Sequence, residues 1–250
     1  MTTNPLILKL QHAGNLTDAD IGKLEEISAP RRHVAAKEDI IREGAEPTDV
    51  HLVLDGIACR YKMLPDGKRS IAALKIAGDF CDLHAAILGR MDDAVGTLTP
   101  CTIVDLPRAT IDDLTHNHPR ITQALWWATL VDKSILREWL VSMGKRSADR
   151  QVAHFFCELL LRHQAVNRAT ENSFGFPLTQ EEMGDILGLS AVHVNRVMQQ
   201  LKESGLIRQS GRTIIIPNVA ALKDYAAFNP NYLHLKDHVA PAPGAPKPTP

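Results

Sequence analysis

Residues 178–217 are the part of this 250-residue chain that most restricts its possible folds. Thr179 and Glu182 stand three positions apart, the spacing of a capping box, and predict a helix over about 180–187. Apolar residues at i, i+3 and i+4 would face a core: Met183, Ile186 and Leu187. Gly188 permits the positive φ that ends a helix sharply. The segment therefore begins with a short, capped helix.

A second capped helix follows after a tight turn. Ser190 is suited to cap it, and the predicted helix runs from Ala191 to about Ser204. Apolar residues on one face would bind it to the first helix: Val194, Val197, Met198 and Leu201. The outer face carries small, amide and guanidinium side chains, which a DNA major groove accepts: Ala191, Val192, Asn195, Arg196 and Gln199.

A hairpin pattern completes this unit. Gly205 ends the second helix, residues 206–208 start a strand, Ser210-Gly211 turns the chain and residues 212–216 return it before Pro217. Two helices followed by such a wing predict a winged helix-turn-helix that reads DNA. A helix-turn-helix can serve protein contacts instead, but wing arginines at 208 and 212 favour DNA.

The residue types on the second helix suggest individual DNA contacts. Arg196 could reach guanine O6 and N7 or a phosphate, with a salt bridge to a neighbouring Glu as the alternative. Val192 suits a thymine methyl, and Asn195 suits adenine or the backbone. Four residues are assigned to phosphates: Thr179, Gln180, His193 and Arg212. The full predicted DNA-binding set is Thr179, Gln180, Ser190, Ala191, Val192, His193, Asn195, Arg196, Gln199 and Arg212.

The first half of the chain consists of short β-forming runs separated by Gly, Pro and Asp. They span 39–44, 50–56, 58–62, 70–74, 95–98 and 102–106. With a hairpin turn at 65–68, they predict a small antiparallel barrel or roll of about 80 residues. Its outline is cupin-like, but the barrel has only His51 and His84 as potential imidazole ligands and lacks a clustered metal-ligand motif. The chain is therefore predicted not to be an enzyme.

Residues 121–143 form a long helical pattern that is apolar on more than one side. Five residues fit a 4-3 repeat and are predicted to form a dimer seam, with Asp132 within it: Ile121, Leu125, Ala128, Ile135 and Trp139. A core helix of a monomer would show similar spacing. The net charge of −1 and the near-neutral helix-turn-helix also favour two copies, because tight DNA binding would need both together.

The predicted α+β chain divides into four parts. They are a β-roll sensor domain with an N-terminal helix (1–118), a dimerisation helix (119–146), the winged helix-turn-helix (147–228) and a C-terminal tail (229–250), Pro-rich and disordered from 239. The longest apolar stretch, 121–131, is too short for a bilayer, and no export signal precedes it, so no membrane partner and a cytoplasmic location are expected. The cysteines lack zinc-site spacing, and no metal site is predicted.

This arrangement resembles the Crp/Fnr family of bacterial transcription regulators over nearly the full length, with α-proteobacterial members most similar at 78–84 and 191–196. The resemblance is carried by Glu43-Gly44, Leu54-Asp55-Gly56, 64–68, Gly78-Asp79-Phe80, 120–143, and 178–217 with Arg196. It implies a cyclic-nucleotide-binding-like roll and a homodimer that regulates transcription from a palindromic promoter site. It also implies double-stranded DNA as partner, and RNA polymerase if the protein is an activator.

Departures from the family pattern bear on the effector. The ribose-binding Gly-Glu-Leu of cyclic-AMP-binding members is replaced here by residues 82–84, and their phosphate-binding Arg-Ser falls near Asp92 and Asp93, whose carboxylates would repel a phosphate. Cyclic AMP is therefore not expected. The first cysteine is Cys59, which argues against the N-terminal iron–sulfur cluster of the oxygen-sensing members. No cofactor is predicted, although Cys81 and His84 keep a haem site as a minor alternative.

Two further alternatives remain open. The chain could be a ligand-independent regulator controlled by its abundance or by a protein partner. It could also be a small-molecule-binding module whose DNA function is lost, and replacement of Arg196 separates this interpretation from the regulators.

Overall fold

The computed structural model describes residues 3–14 and 16–236. Its helices are α1 (Pro5–Leu10), α2 (Asp18–Ile27), α3 (Ala85–Leu88), α4 (Arg108–Asn117), α5 (Pro119–Lys145), α6 (Ala148–Gln164), α7 (Gln180–Leu187), α8 (Ala191–Glu203) and α9 (Val219–Tyr225). Its strands are β1 (Arg32–Val34), β2 (Asp39–Ile41), β3 (Asp49–Asp55), β4 (Ala58–Met63), β5 (Arg69–Lys75), β6 (Ala94–Thr97), β7 (Cys101–Pro107), β8 (Ser173–Gly175), β9 (Arg208–Ser210) and β10 (Thr213–Ile215). Roll, long helix and winged helix follow in the predicted order, which confirms the α+β fold class.

The roll consists of two antiparallel sheets with strand orders β1-β7-β3 and β2-β6-β4-β5. The six predicted β-runs correspond to β2 through β7. Gly67, with φ +80°, provides the turn between β4 and β5, where the Leu64 amide donates to the Lys68 carbonyl at 2.8 Å. β1 lies outside the predicted runs and pairs with β7. The sequence pattern therefore identified the hairpins, but not this short strand at the sheet edge.

Two helices, rather than the single one predicted, precede the roll. α2 begins with a capping box between Thr17 and Asp20. The apolar side of α1 is buried through Leu6, Ile7 and Leu10. These residues share a core with one face of the roll, with α4 and with the first half of α5. The N-terminal segment thus covers a roll surface that would otherwise be exposed.

The long helix α5 has 27 residues and corresponds to the helix predicted over 119–146. The five predicted dimer-seam residues are all buried within their own protomer: Ile121, Leu125, Ala128, Ile135 and Trp139. The first three pack with the roll and N-terminal helices, and the last two pack with the winged-helix domain. Within the protomer, the predicted seam is therefore covered by the roll, the N-terminal helices and the winged-helix domain.

A different face of α5 is open. Six large apolar side chains are exposed on it: Trp126, Leu130, Leu136, Leu140, Val141 and Met143. We call these six residues the open α5 face. These side chains are exposed in an isolated protomer, whereas those of the 4-3 repeat are buried. The sequence pattern alone could not distinguish the two sets.

In the C-terminal unit, α8 packs against both α6 and α7, and α9 also packs against α6. Its small sheet has the order β8-β10-β9, so the predicted wing hairpin has a third strand, β8, that was not predicted. One apolar cluster includes Phe156 and Phe174 of this unit together with Ile57 and Leu74 of the roll. The two units are therefore joined by a continuous core.

The end of the described chain is more ordered than predicted. The predicted tail starts at 229, but Pro230–Leu233 forms a 3-10 helix and Leu233 and Leu235 are buried. Tyr232 donates a hydrogen bond from its hydroxyl to Glu158 Oε2 at 2.9 Å. The packed chain thus extends past residue 229. The predicted disordered stretch, 239–250, lies outside the described residues.

Candidate nucleic-acid interface

The first helix of the helix-turn-helix is held by reciprocal capping, as the sequence predicts. Glu182 donates from its backbone N–H to Thr179 Oγ1 at 3.1 Å, and the Thr179 N–H donates to Glu182 Oε2 at 2.7 Å. Gly188 ends α7 in the left-handed region with φ +67°. A Cβ on Gly184 would lie 2.4 Å from the Leu189 carbonyl oxygen, so the turn between the helices needs a glycine there. These contacts fix the orientation of α8 relative to α7.

The second helix is anchored by its cap and by one apolar face. Ser190 Oγ accepts a hydrogen bond from the His193 N–H at 3.2 Å. The four residues predicted to face the first helix are buried: Val194, Val197, Met198 and Leu201. Because one face of α8 is locked into the core, the opposite face is presented in a fixed orientation.

The presented face of α8 contains the predicted base-reading residues. All five are exposed: Ala191, Val192, Asn195, Arg196 and Gln199. Val192 is 82% exposed, so its side chain is open to contact with an external methyl group. Asn195 Nδ2 donates to Gln180 Oε1 at 3.1 Å. The side-chain amides of these two predicted DNA-contacting residues are therefore hydrogen-bonded to each other across α7 and α8. DNA binding through Asn195 would require this pair to be shared or broken.

Arg196 supplies a guanidinium to this face. Within the part of the chain that the structure describes, its side chain has no hydrogen-bond or ion-pair partner. The alternative of a salt bridge to a neighbouring Glu is therefore not what the structure contains. An unpaired, exposed guanidinium carries five donors that suit guanine or phosphate.

Thr179 and Arg212, two of the residues predicted to contact phosphates, lie beside a cleft rather than on the exposed face of α8. Thr179 donates its hydroxyl to Glu182 Oε2 at 3.0 Å, which occupies its donor, and it lines a cleft facing the roll. Arg212 is exposed at the wing and lines the same cleft. Ser190 and His193 remain with the exposed N-terminal end of α8. The predicted set is thus brought together around α8, with Thr179 and Arg212 at its margin.

Two arginines between the start of α5 and the end of α6 are paired with carboxylates. Arg162 is buried and donates to Asp79 Oδ2 at 2.8 Å and to Glu158 Oε1 at 3.1 Å. Arg146 donates to Glu138 Oε1 at 2.6 Å. These guanidinium groups are neutralised by neighbouring carboxylates. These two guanidinium groups therefore add little free positive charge for DNA binding.

The roll carries an internal ion pair where the resemblance implies a phosphate site. Arg60 Nε donates to Asp93 Oδ2 at 2.7 Å, and its Nη2 lies 3.3 Å from Asp92 Oδ1. Burial, followed by the charge of Arg60, lowers the pKa of His84, whose Nε2 lies 3.4 Å from Arg60 Nη2. Arg60 was not identified from the sequence, because it comes from a strand more than thirty residues before the two aspartates. One guanidinium between two carboxylates leaves a local negative charge in this part of the roll.

Cys81 and His84, the two residues that suggested haem, differ in their exposure. Cys81 is buried, and burial raises the pKa of its thiol well above the usual value, which disfavours the thiolate that iron requires. Among the described residues, no three His, Cys, Asp or Glu side chains gather in a way that could hold a metal ion. No helix in those residues is long and apolar enough to span a bilayer.

Comparisons with known proteins agree with this architecture. Residues 150–225 match the model of the Crp-like helix-turn-helix domain, and residues 31–118 match the cyclic nucleotide-binding domain. A "Probable transcriptional activator" of Rhizobium leguminosarum bv. viciae is 30% identical over 210 residues, which cover 81% of this chain and 84% of the relative. The nitrogen fixation regulation protein FixK of Bradyrhizobium diazoefficiens is 28% identical, over 77% of this chain and 80% of the relative.

A solved structure has a similar fold. FixK2 from Bradyrhizobium japonicum superposes with a TM-score of 0.68 at 24% identity, over 78% of this chain and 96% of that chain. The relatives are transcription regulators rather than enzymes. With both domain models in the expected order and a relative that matches across most of its length, this chain belongs to the Crp/Fnr family of transcription regulators.

Proposed function

We propose that this regulator binds a two-fold symmetric DNA site as a homodimer and reads each half-site with the exposed face of α8. The observation that carries the proposal is the exposed Arg196 guanidinium, unpaired among the described residues, on a helix whose opposite face is locked into the core. A rigid helix with unpaired donors at its N-terminal half suits major-groove readout. Val192 adds an apolar contact for a thymine methyl.

The homodimer is supported by the open α5 face. Trp126, Leu130 and Leu140 are 67%, 58% and 59% exposed, and they lie along one helix. Contiguous exposed apolar side chains of this size mark an interaction surface. A second copy of α5 would cover them by a self-complementary contact, and the resulting two-fold axis would relate two α8 helices.

The sensor roll, in this proposal, takes neither cyclic AMP nor haem. The Arg60 guanidinium is already paired with Asp92 and Asp93, so it is not free to bind a phosphate. One guanidinium does not neutralise two carboxylates, so an incoming phosphate would meet their remaining negative charge. The buried, protonated thiol of Cys81 argues against thiolate ligation of iron. A regulator controlled by its abundance or by a protein partner is the alternative. RNA polymerase is a further partner if the protein activates transcription, as the name of the Rhizobium relative implies for that protein.

Selection of genomic DNA fragments by the purified protein tests this proposal. The wild type is expected to retain a palindrome with half-sites about one helical turn apart. Arg196→Ala should bind that site with roughly 5- to 150-fold lower affinity, because a bidentate base contact contributes about 1–3 kcal/mol. Lys202→Ala, near the far end of the same helix, is the matched control and should bind as the wild type does. Equal affinity of Arg196→Ala and wild type would show that α8 is not the reading element.

A further inference from the structure

A cleft lies between part of the roll and part of the winged-helix domain, outside the interior of the roll. It has a volume of about 670 Å³, within the usual range for small-molecule sites. The turn between β3 and β4 and the segment after β6 form one wall, and the end of α6, β8 and the wing form the other. None of these residues belongs to the Arg60 ion-pair cluster. The cleft is therefore distinct from the site implied for a cyclic nucleotide.

The charged residues of the cleft leave a positive surplus. Lys37, Arg168 and Arg212 line it, together with Asp55 and Glu182. Asp55 Oδ1 lies 3.5 Å from Arg168 Nη2, in a contact between two substantially exposed side chains.

Glu182, the second acidic residue of the cleft, already has hydrogen-bond donors for its carboxylate. Its carboxylate accepts hydrogen bonds from the Thr179 N–H and hydroxyl in the capping box. The cations at positions 37 and 212 therefore face the cleft with no carboxylate of their own among the described residues. An anion in the cleft would meet guanidinium and ammonium donors from both walls.

His163 provides a second, independent feature of the cleft wall. Only 9% of the residue is exposed, and both ring nitrogens are buried without a hydrogen-bond partner in the part of the chain that the structure describes. The ring stacks on Phe174 with centroids 5.8 Å apart. Burial, followed by the charge of Arg162, lowers the pKa of His163 to about 4, so the ring is neutral and offers one donor and one acceptor. Buried polar groups without partners are rare and costly, so a polar group of a ligand that reached this ring from the cleft would relieve that cost.

The rest of the lining is apolar. Ile57 and Leu98 come from the roll wall, and Pro177 comes from the opposite wall. Apolar lining with a few converging polar groups is typical of sites for small organic molecules. From the surplus cations, the unpartnered imidazole and this apolar lining, we propose that the cleft binds a small organic anion with an aromatic or other apolar body.

Arg212 couples this cleft to the wing. An anion held by Arg212 would compete with a DNA phosphate for the same guanidinium, so occupancy of the cleft lowers DNA affinity. This coupling rests on the proposed DNA-reading function. Binding of the anion itself does not, and the two are measured separately.

Phenyl phosphate is the probe, because it combines an aromatic body with a phosphate. Histidine ring signals of the full-length protein are recorded by ¹H–¹³C NMR during titration, and the His163 signal is assigned as the one that is missing in His163→Phe. We expect that signal to shift and saturate with phenyl phosphate, at roughly tenfold or more lower concentration than with inorganic phosphate or benzyl alcohol. No saturable shift at millimolar probe, or equal midpoints for the three compounds, would overturn the proposal.

Gly175→Trp is the blocking variant. A Cβ on Gly175 would have no described atom within 4 Å of it, and the residue lines the cleft, so we expect an indole at this position to occupy part of the cleft. Its His163 signal should be insensitive to the probe. Arg168→Gln should raise the midpoint by roughly tenfold, through loss of one charged donor. Unchanged midpoints in both variants would place the probe elsewhere and overturn the proposal.

The coupling is tested with the palindrome selected from genomic DNA. Saturating phenyl phosphate should weaken DNA binding by the wild type, and should have no effect on Gly175→Trp. Equal affinity of the wild type with and without the probe would overturn the coupling. Failure of the probe-free protein to bind any DNA site would instead count against the proposed function, and would leave the NMR result on anion binding standing.

Discussion

Arg162 of α6 donates a hydrogen bond from Nη2 to Asp79 Oδ2, across 2.8 Å, and thereby joins the DNA-binding unit to the roll. The same nitrogen donates to the Leu74 carbonyl at 2.8 Å, and Nη1 donates to Glu158 Oε1 at 3.1 Å. Lys9 of α1 forms an ion pair with the other Asp79 oxygen. These charges hold the pKa of Asp79 well below its usual range, against the opposing effect of burial. One buried guanidinium therefore connects both domains, and one carboxylate extends that connection to the N-terminal helix.

Replacing Arg162 by Met should destabilise the protein strongly. The substitution leaves Glu158 buried without its main cation and removes one of the cations paired with Asp79, and breaking one side of a buried ion pair typically costs about 3–5 kcal/mol. Urea unfolding followed by circular dichroism measures the change in the free energy of unfolding. Lys68→Met is the control, because its pair with Asp66 is solvent-exposed, and its unfolding midpoint should match that of the wild type. Similar midpoints for the two variants would contradict a structural role for the Arg162 pair.

Two buried histidines of α6 should make the protein less stable in mild acid. Burial is the main cause that lowers the pKa of His163 to about 4 and of His154 to about 3, from an ordinary value of 6.5. The unfolded chain therefore binds protons near pH 6.5, whereas the folded protein does not. Because the unfolded state binds more protons, the free energy of unfolding falls as the pH drops from 6.5 towards 4.

This pH effect can be assigned to one residue by comparison with His163→Phe. At about pH 5, the loss due to a single such histidine is on the order of 2 kcal/mol relative to neutral pH. The raised pKa of buried Glu158 acts in the opposite direction, so the difference between variant and wild type is more informative than the total. Urea unfolding at about pH 7.5 and pH 5 should give a smaller pH-dependent loss for the variant. Parallel losses would mean that His163 is not neutral in the folded protein.

The helix-turn-helix could be predicted almost residue by residue, because its signals are local. Thr179 with Glu182, Ser190 and Gly188 specify caps and a helix end within a few positions of one another, and the structure has all of them. The exposed face of α8 could also be predicted, because apolar residues at helical spacing define the opposite, buried face. Hairpins of the roll were likewise predicted from alternating β-formers and turn residues.

Features that depend on distant contacts could not be predicted in this way. α5 has apolar residues around more than one side, so its sequence allowed two assignments of the covered face, and only the packing of α6 and the roll places Ile135 and Trp139 inside. Arg60 meets Asp92 and Asp93 across a gap of 32 residues or more. Arg162 and Asp79 are 83 positions apart. No local pattern signals such pairs, and the cleft between the domains was missed for the same reason.

Charged residues on the open α5 face should prevent dimerisation. Leu130→Asp with Leu140→Asp would place two carboxylates beside their symmetry copies in a self-complementary contact, where burial and repulsion both disfavour association. Sedimentation velocity should detect a dimer for the wild type and a monomer for the double variant, with unchanged circular dichroism. Ile121→Val, a conservative change in the buried repeat, should leave the dimer intact. A dimeric double variant would require a different interface.

Val192→Glu should change which DNA sequence is preferred, rather than weaken all DNA binding equally. The side chain is 82% exposed in the protomer, so the substitution does not disturb the fold. A valine in the major groove suits a thymine methyl, whereas a glutamate accepts from cytosine N4, and each such contact discriminates by about 1–3 kcal/mol. Selection from a randomised half-site library should therefore shift one position from thymine towards cytosine. Val192→Ala, which shortens the apolar contact without adding an acceptor, should weaken the thymine preference without creating one for cytosine. An unchanged consensus for Val192→Glu would mean that this position of α8 lies outside the groove.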